Sequence, residues 1–369
     1  MRVRLGDYIK EYSVKNKNNE DIPVYSVSNS LGFCKDYFGK EVASKNKTTY
    51  KIVPRGCFAY NPSRINVGSV DWQNEEERVI VSPLYNVFSV SPLLDQQYLL
   101  YYLKSNVTLS RIRAVASGSV RDNLKLSMLY EFPIDLISLD QQYDVVSTLN
   151  AVQKIIDLYQ KGLSYLDELV RARFVEMFGD ENNSKGWEIV NIEDVANVQV
   201  GVVIKPSQYY TDQDSGIKAF RSLNIGNGYI KDDDWVYFSE EGNKKNKKSI
   251  LSTNDVLVVR SGAPGTACVV TSEYAGSNAI DVIIAHPDFQ KVDSHYLCTY
   301  TNMPHGKSQI IEGTGGAAQQ HFNVGKYNKL KLMLPPLEYQ KQYVKFLEEI
   351  DKSRLLSNHS LFLIKSITF

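Results

Sequence analysis

From residue 138 to residue 180 the apolar side chains fall three or four positions apart without a break: Leu139, Tyr143, Val146, Leu149, Val152, Ile156, Tyr159, Leu163, Leu166, Val170, Phe174 and Met177. The stretch has no proline and one glycine, Gly162. Such spacing draws one narrow stripe along a helix, close to the 3.5-residue period of a coiled-coil seam. At ~1.5 Å per residue the helix is ~63 Å long, too long simply to lie on its own globule. A second stripe opens after Pro335 and Pro336 and runs through Leu337, Val344, Leu347, Ile350, Leu355, Leu361 and Ile364. Proline suits a helix start, where its missing N–H has no partner in any case. A narrow stripe buries only against something, and each long helix is the matching partner for the other.

The segments between the helices read differently. Short β-branched or aromatic runs at 24–28, 79–81 and 255–259 predict strands, Asn227 and Gly228 a turn, and 98–110 and 294–311 helices. The chain therefore divides into an α/β globule over 1–135, a central long helix over 136–183, a second α/β globule over 184–334 and a C-terminal long helix over 335–369. The fold class is mixed α/β (α+β), with two similar globules and an internal pseudo-twofold repeat.

The repeat is visible residue by residue. At a constant offset of 198, Tyr98 meets Tyr296, Gly118 meets Gly316, Leu124 meets Phe322, and Leu139 and Gln142 meet Leu337 and Gln340. Val146, Leu149 and Val152 fall on Val344, Leu347 and Ile350. Upstream the offset slips to 195, pairing Ile22 with Ile217 and Asn29 with Asn224, and at the start to 187, pairing Leu5 with Ile192 and Asp7 with Asp194. Loop insertions produce such slips and leave the elements in step.

Composition narrows the class. The 369 residues carry 43% hydrophobic and 23% charged side chains, ordinary for globular domains. Four cysteines, Cys34, Cys57, Cys268 and Cys298, are too scattered for a disulfide framework. With no apolar leader and no apolar run near ~20 residues, the expectation is a cytoplasmic protein. Basic and acidic residues balance at 42 each, but not evenly along the chain. Residues 1–135 carry 18 basic and 14 acidic, and 136–183 carry 4 and 8. The positive excess sits in the first globule.

Catalytic signatures are missing. Gly306, Lys307 and Ser308 have the tail of a phosphate-binding P-loop, but its upstream glycine is Thr301. The glycine-rich run from Arg260 to Thr266 is neither a dinucleotide fingerprint nor a nucleophile elbow. No paired Cys or His has zinc spacing. What stands out instead are loops dense in short hydrogen-bonding residues. In the first globule they hold Asn61, Ser63, Arg64 and Asn66, then Ser117, Ser119, Arg121 and Asn123. In the second they hold Arg221, Lys244, Lys245, Arg260, Ser261, Thr314, Gln319, Gln320 and His321. Arg reads guanine and Asn or Gln reads adenine by paired hydrogen bonds, while Lys, Ser and backbone amides hold phosphates. These are the candidate DNA-binding residues.

With these residues in view, the chain resembles a family. The run from Ile22 to Asn29, the run from Phe58 to Gly68 and the Ser117–Arg121 loop (117–121) are similar to a target-recognition domain of a type I restriction-modification specificity subunit. So is the run from Gly313 to Phe322. The helix ending at Val170 to Asp180 and the one opening at Leu334 to Gln340 resemble that family's two helical regions. The likeness covers essentially the whole chain. A departure is the entry to the first helix, Ile134 to Ser138, in place of a proline-rich one.

The resemblance implies a non-catalytic DNA reader, with two recognition domains at opposite ends of two antiparallel long helices, each reading half of a bipartite site. It implies as partners double-stranded DNA, two methyltransferase subunits and motor-nuclease subunits. No cofactor is expected in this chain; S-adenosylmethionine is expected in the methyltransferase. The competing reading is a two-ended scaffold that bridges two protein partners without DNA.

Overall fold

The computed structural model describes residues 1–35, 46–116, 123–314 and 322–368. The chain forms two compact units, Met1–Gln160 with His359–Phe369, and Lys161–Asn358.

The first unit is built on a four-stranded antiparallel sheet in the order Ile9–Glu11, Asn86–Val90, Phe58–Tyr60, Val70–Trp72. Strand Arg2–Arg4 pairs with Pro133–Asp135, so the two ends of the globule meet. Smaller antiparallel pairs join Lys51–Pro54 to Arg78–Val81 and Ser26–Ser28 to Gly32–Cys34. Helices α1 (Gln96–Lys104), α2 (Asn106–Ala116) and α3 (Leu126–Tyr130) cover one face. Their Leu99, Leu103, Ile112 and Leu129 meet Phe58, Tyr60 and Phe88 of the sheet, all buried. Phe58 stacks on Phe88 at 5.1 Å.

The long helix α4 follows at Leu139–Phe178, 40 residues without a break. Eleven of its twelve stripe residues are buried or half-buried. The exception is Tyr143, 53% exposed, whose neighbour Gln142 is fully buried instead.

The second unit repeats the first. Its sheet order is Ala196–Val200, Val282–Pro287, Val256–Val259, Ala267–Val269, again all antiparallel. Each strand is the counterpart of the strand in the same place above. Glu188–Asn191 pairs with Lys331–Leu334 and closes this globule as Arg2–Arg4 closes the other. The slipped register is also borne out: the parallel bridge of Val24 to Ile80 matches that of Ala219 to Asn278, at offsets of 195 and 198. A further sheet orders Tyr210–Thr211, Val236–Phe238, Ile217–Phe220 and Asn278–Ala279. The helices are α5 (Glu240–Lys245), α6 (Ser294–Asn302), α7 (Pro304–Thr314), α8 (Val324–Asn328) and α9 (Leu337–Thr368).

Within this unit the end of α4 and the start of α9 run antiparallel. Tyr343 donates to the Val170 carbonyl at 3.3 Å, and further along Arg354 pairs with Asp167 at 2.5 Å. Phe174 and Phe178 of α4, Tyr296 of α6 and Tyr343 of α9 form one buried aromatic cluster, with ring centroids 4.8–5.8 Å apart.

Three local expectations change. The helices expected over 98–110 and 294–311 are each two helices. Ser105 is extended and its hydroxyl accepts from Thr108 N at 3.2 Å, capping a new start. Met303 is extended because it precedes Pro304, which disfavours helical backbone. On α9, Arg354 rather than Leu355 takes the stripe position facing α4, and Leu355 is 70% exposed.

Candidate nucleic-acid interface

In the first unit the chain leaves the sheet after Tyr60, whose buried hydroxyl donates to the Leu124 carbonyl at 3.1 Å. Burial pushes this phenol far above its ordinary range. Asn61 accepts from Ser63 N at 3.1 Å and folds the loop back. Ile65, fully buried, pins the short helix Ile65–Val67, which Gly68 ends at φ +88. The Ser63 hydroxyl then donates to Asn123 Oδ1 at 2.7 Å, and Leu124 N donates to the Pro62 carbonyl at 3.1 Å. Two loops far apart in sequence thus meet, and Asn61, Ser63, Arg64, Asn66 and Asn123 share one edge of the sheet. Arg64 is exposed and forms no ion pair among the described residues. Ser117, Ser119 and Arg121 lie outside the described residues.

The second unit builds the same edge with other side chains. After Val259, Arg260 accepts from Phe322 N at 3.0 Å through its carbonyl and donates from Nε to the Phe322 carbonyl at 3.2 Å. Its Nη1 pairs with Asp281 at 2.5 Å. Leu124 and Phe322, 198 residues apart and both buried, are the anchors of the equivalent loops. Arg260 is mostly buried and committed to this clasp; its guanidinium shapes the loop rather than standing out from it. Ser261 follows it, and Gly265, at φ +79, packs where a Cβ would sit 2.6 Å from Ile310 Cδ1. Thr314 ends α7; Gln319, Gln320 and His321 lie outside the described residues.

Three further expected residues are engaged by partners of their own. Arg221 pairs with Asp234 at 3.3 Å. Lys244 pairs with Glu240 at 3.6 Å one turn away, and Lys245 lies over the Tyr209 ring at 5.8 Å.

Sequence reasoning missed one cation in each unit. Arg113 of α2 donates from Nε to the Asn66 carbonyl at 3.3 Å. Lys307 of α7 donates to Thr266 Oγ1 at 3.3 Å. Asn66 and Thr266 both lie in the loop that joins the last two strands of the sheet order, four residues before Val70 and one before Ala267, so each unit ties this loop to its second helix through a basic side chain, at a different place in the loop. Lys307 is half-buried with no ion pair among the described residues, and burial pulls its amine below the ordinary lysine range. The two cations are not repeat mates, since at the offset of 198 Arg113 falls on Ile311, and no sequence signal pairs them.

Three cysteines and one histidine elsewhere are held by burial and hydrogen bonds. Burial pushes the Cys268 thiol up to about 12 and the Cys57 and Cys298 thiols upward as well, away from the reactive thiolate. His286 pairs with buried Asp255 at 2.6 Å and its other ring nitrogen meets the Gln199 amide at 2.7 Å, so both nitrogens are occupied. No metal-holding cluster of His, Cys, Asp or Glu occurs among the described residues. No helix among them is long and apolar enough to cross a membrane. The edge can do one thing well, which is to present hydrogen-bonding side chains on loops braced from below.

A family model described as the type I restriction modification DNA specificity domain matches the chain twice, over residues 4–166 and 184–364. The chain is similar to the type I restriction enzyme MjaVIII specificity subunit of Methanocaldococcus jannaschii, 21% identical over 375 residues, spanning 95% of this chain and 85% of that one. It is also similar to the StySPI specificity subunit of Salmonella potsdam, 19% identical over 398 residues, spanning 99% and 84%. Among solved structures, a chain described in a study of complex assembly and conformational transition of the type I restriction-modification system matches with a TM-score of 0.63. That match has 14% identity and covers 100% of this chain and 95% of that one. A type I restriction-modification S subunit from M. genitalium matches with a TM-score of 0.52 at 12% identity, covering 100% and 93%. At these identities the structural likeness is one of fold.

Proposed function

The chain belongs to the type I restriction-modification DNA specificity family, and from that premise we propose that it is the DNA-reading subunit of such an enzyme, one half of a bipartite site being read by each unit. The observation that carries this is the duplicated edge. Two sheets of the same strand order each send polar loops out from the corresponding strand ends, braced by Leu124 in one and Phe322 in the other. A single reader needs one such edge; a bipartite target needs two.

The subunit itself is non-catalytic in this reading. Methyl transfer from S-adenosylmethionine belongs to methyltransferase subunits, and cleavage to motor-nuclease subunits, all in the cytoplasm. Docking of the methyltransferase is supported by a second apolar face on α4. Ile155, Leu158, Tyr165 and Leu169 recur at helical spacing and are 44–60% exposed. Exposed apolar surface of this kind marks an interface. Partner subunits also account for the neutral charge, since they can neutralise much of the DNA phosphate.

The test is a titration of labelled duplex with the chain bound to its methyltransferase, at several salt concentrations. Sequence-selective binding that weakens steeply with salt is the expected result. Salt-independent bridging of two proteins with no affinity for duplex would establish the scaffold instead.

A further inference from the structure

A third loop follows the matching strand in each unit, and it differs in chemistry between the units. In the second unit strand Ala196–Val200 ends with Val200 beside Ile283, and Gly201 N donates to the carbonyl of Val282, the partner of Val259 at the end of strand Val256–Val259. The chain turns out sharply at Gly201, where a Cβ would lie 2.3 Å from the Ala279 carbonyl oxygen. Val202 N then donates to that carbonyl at 2.7 Å, and Asp281 N donates back to the Val202 carbonyl at 3.2 Å. Asp281 is the residue that holds Arg260. The loop therefore rises next to the Arg260 clasp, fixed at its base. Its tip is apolar: Val203 is 50% exposed and Ile204 78% exposed. Lys205 follows in left-handed backbone, φ +44, and leads into Pro206, which stops the tip from folding back.

The first unit also has a loop after the matching strand, held differently: Lys15 bridges Lys51, and Asn16 N donates to the Tyr50 carbonyl at 2.9 Å. Strand Ile9–Glu11 ends beside Phe88, and Tyr12 N donates to the Val87 carbonyl at 2.9 Å. The tip here is Lys15, Asn16, Lys17, Asn18 and Asn19. Asn16 is buried and holds Glu20 through two hydrogen bonds of 2.9 Å, leaving Lys15 and Lys17 exposed on either side. After the matching strand one unit presents ammonium groups and the other a branched hydrocarbon. An exposed isoleucine at a reading edge has one distinctive partner in the major groove, the 5-methyl group of thymine, the apolar mark on a base edge that is otherwise all donors and acceptors.

We infer that the Val203–Ile204 tip (203–204) is a specificity determinant that contacts a thymine methyl group in the half-site of the second unit, whereas the Lys15–Lys17 tip (15–17) contacts phosphate. The inference rests on the DNA-reading assignment and adds to it a statement about the target: the half-site of the second unit contains thymine.

The test uses the full chain in complex with its methyltransferase. Its preferred duplex is selected from random sequences, and each thymine of that duplex is replaced in turn by deoxyuridine, which removes only the methyl. Binding should weaken about fourfold at one or two positions within one half-site, the effect of one methyl worth ~0.8 kcal/mol. Ile204→Ser should abolish that sensitivity and leave the deoxyuridine scan of the other half unchanged, and Ile204→Val should retain part of it. A half-site without thymine, a scan with no sensitive position, or the same sensitivity in Ile204→Ser each overturns the inference while the DNA-reading assignment stands. So does an Ile204→Ser chain that loses its methyltransferase with the scan unchanged, which would make the tip a protein contact. A complex that selects no duplex at all fails the assignment itself, and the inference with it.

Discussion

Gln142 and Gln340, 198 residues apart, make the same three hydrogen bonds. The Oε1 of Gln142 accepts from Asp95 N at 2.8 Å, and that of Gln340 from Asp293 N at 2.8 Å. Nε2 of Gln142 donates to the carbonyls of Leu93 and Ile137 at 3.0 and 2.9 Å, and Nε2 of Gln340 to those of Lys291 and Pro335 at 3.1 and 2.8 Å. Both side chains are fully buried. Each ties the first turn of a long helix to the loop ahead of α1 or α6, whose caps are Asp95 and Asp293 themselves. A glutamine suits this because one planar group supplies both an acceptor and two donors.

Replacing either by leucine strands one N–H and two carbonyls in a dry site. Leaving a buried polar group unpaired costs ~1–3 kcal/mol. Gln142→Leu and Gln340→Leu should each lower stability by at least that much in urea titrations, and the double variant should lose the sum, since the two sites share no partner. A neutral effect at either site would show that the network carries no stability.

That pair also shows why so much was legible from sequence. Gln142 and Gln340 lie on the 198 offset, as do the anchors Leu124 and Phe322 and the closing strands Pro133–Asp135 and Lys331–Leu334, whereas the first strands of the two units keep the offset of 187. The long helices were legible because a 3.5-residue period over forty residues has no other reading. What failed was local. Position 143 was read as seam because tyrosine is apolar, yet the carboxamide of Gln142 has a buried job that no pattern of hydrophobicity records. Arg354 replaced Leu355 in the seam for the same reason, since its partner Asp167 is distant in sequence. Arg260 is among the candidate DNA-binding residues, and only the fold shows that Asp281 and Phe322 hold its guanidinium. Arg113 and Lys307 were passed over because nothing in a single sequence says which surface cation lies beneath a loop.

The seam tells charge from packing. Arg354 reaches Asp167 and Asp351, but the pairs are partly exposed, and such pairs are worth ~0–1 kcal/mol. Phe174 is fully buried among five aromatic rings, and Phe→Ala in a core costs ~3–5 kcal/mol. Chemical denaturation should find Arg354→Met near neutral and Phe174→Ala severe. The reverse order would mean the seam is held by charge.

Alkaline pH should unfold the chain through its tyrosines. Burial raises Tyr60, Tyr296, Tyr327 and Tyr343 far above the ordinary phenol, and brings Tyr300 and Tyr274 to about 12. An unfolded phenol ionises near ~10. Above that pH the folded state holds more protons than the unfolded one, so stability is intact below ~10 and falls as pH climbs through the folded values. Absorbance at 295 nm should report part of the 24 tyrosines ionising only as circular dichroism is lost. Complete ionisation near pH 10 with the fold intact would contradict the burial.

Arg64 offers the cleanest probe of base reading in the first unit. It is exposed on a loop fixed at Asn61, Ser63 and Ile65, and its removal disturbs no described partner. Arg64→Ala should leave the melting temperature unchanged and weaken binding by ~1–3 kcal/mol if it pairs with a guanine. Mismatch scanning should place the whole effect in one half-site. An effect spread over both halves would dissolve the assignment of one half to each unit.

Lys307 is expected to behave differently from an ordinary structural lysine. Its amine is half-buried, makes one hydrogen bond to Thr266, and is held below the usual lysine range by burial. The folded state therefore disfavours the charged form, and stability is recovered as pH rises through the lowered value. In the proposed DNA-reading role this cation would meet a phosphate, and its charge would then serve the ligand rather than the fold. Lys307→Met should raise the melting temperature, and the rise should shrink toward alkaline pH. The same variant should bind duplex more weakly and flatten the dependence of log affinity on log salt by ~0.9, the loss of one phosphate contact. Lys307→Arg should restore the slope. A variant that gains stability with the slope unchanged would reduce Lys307 to a tether for Thr266.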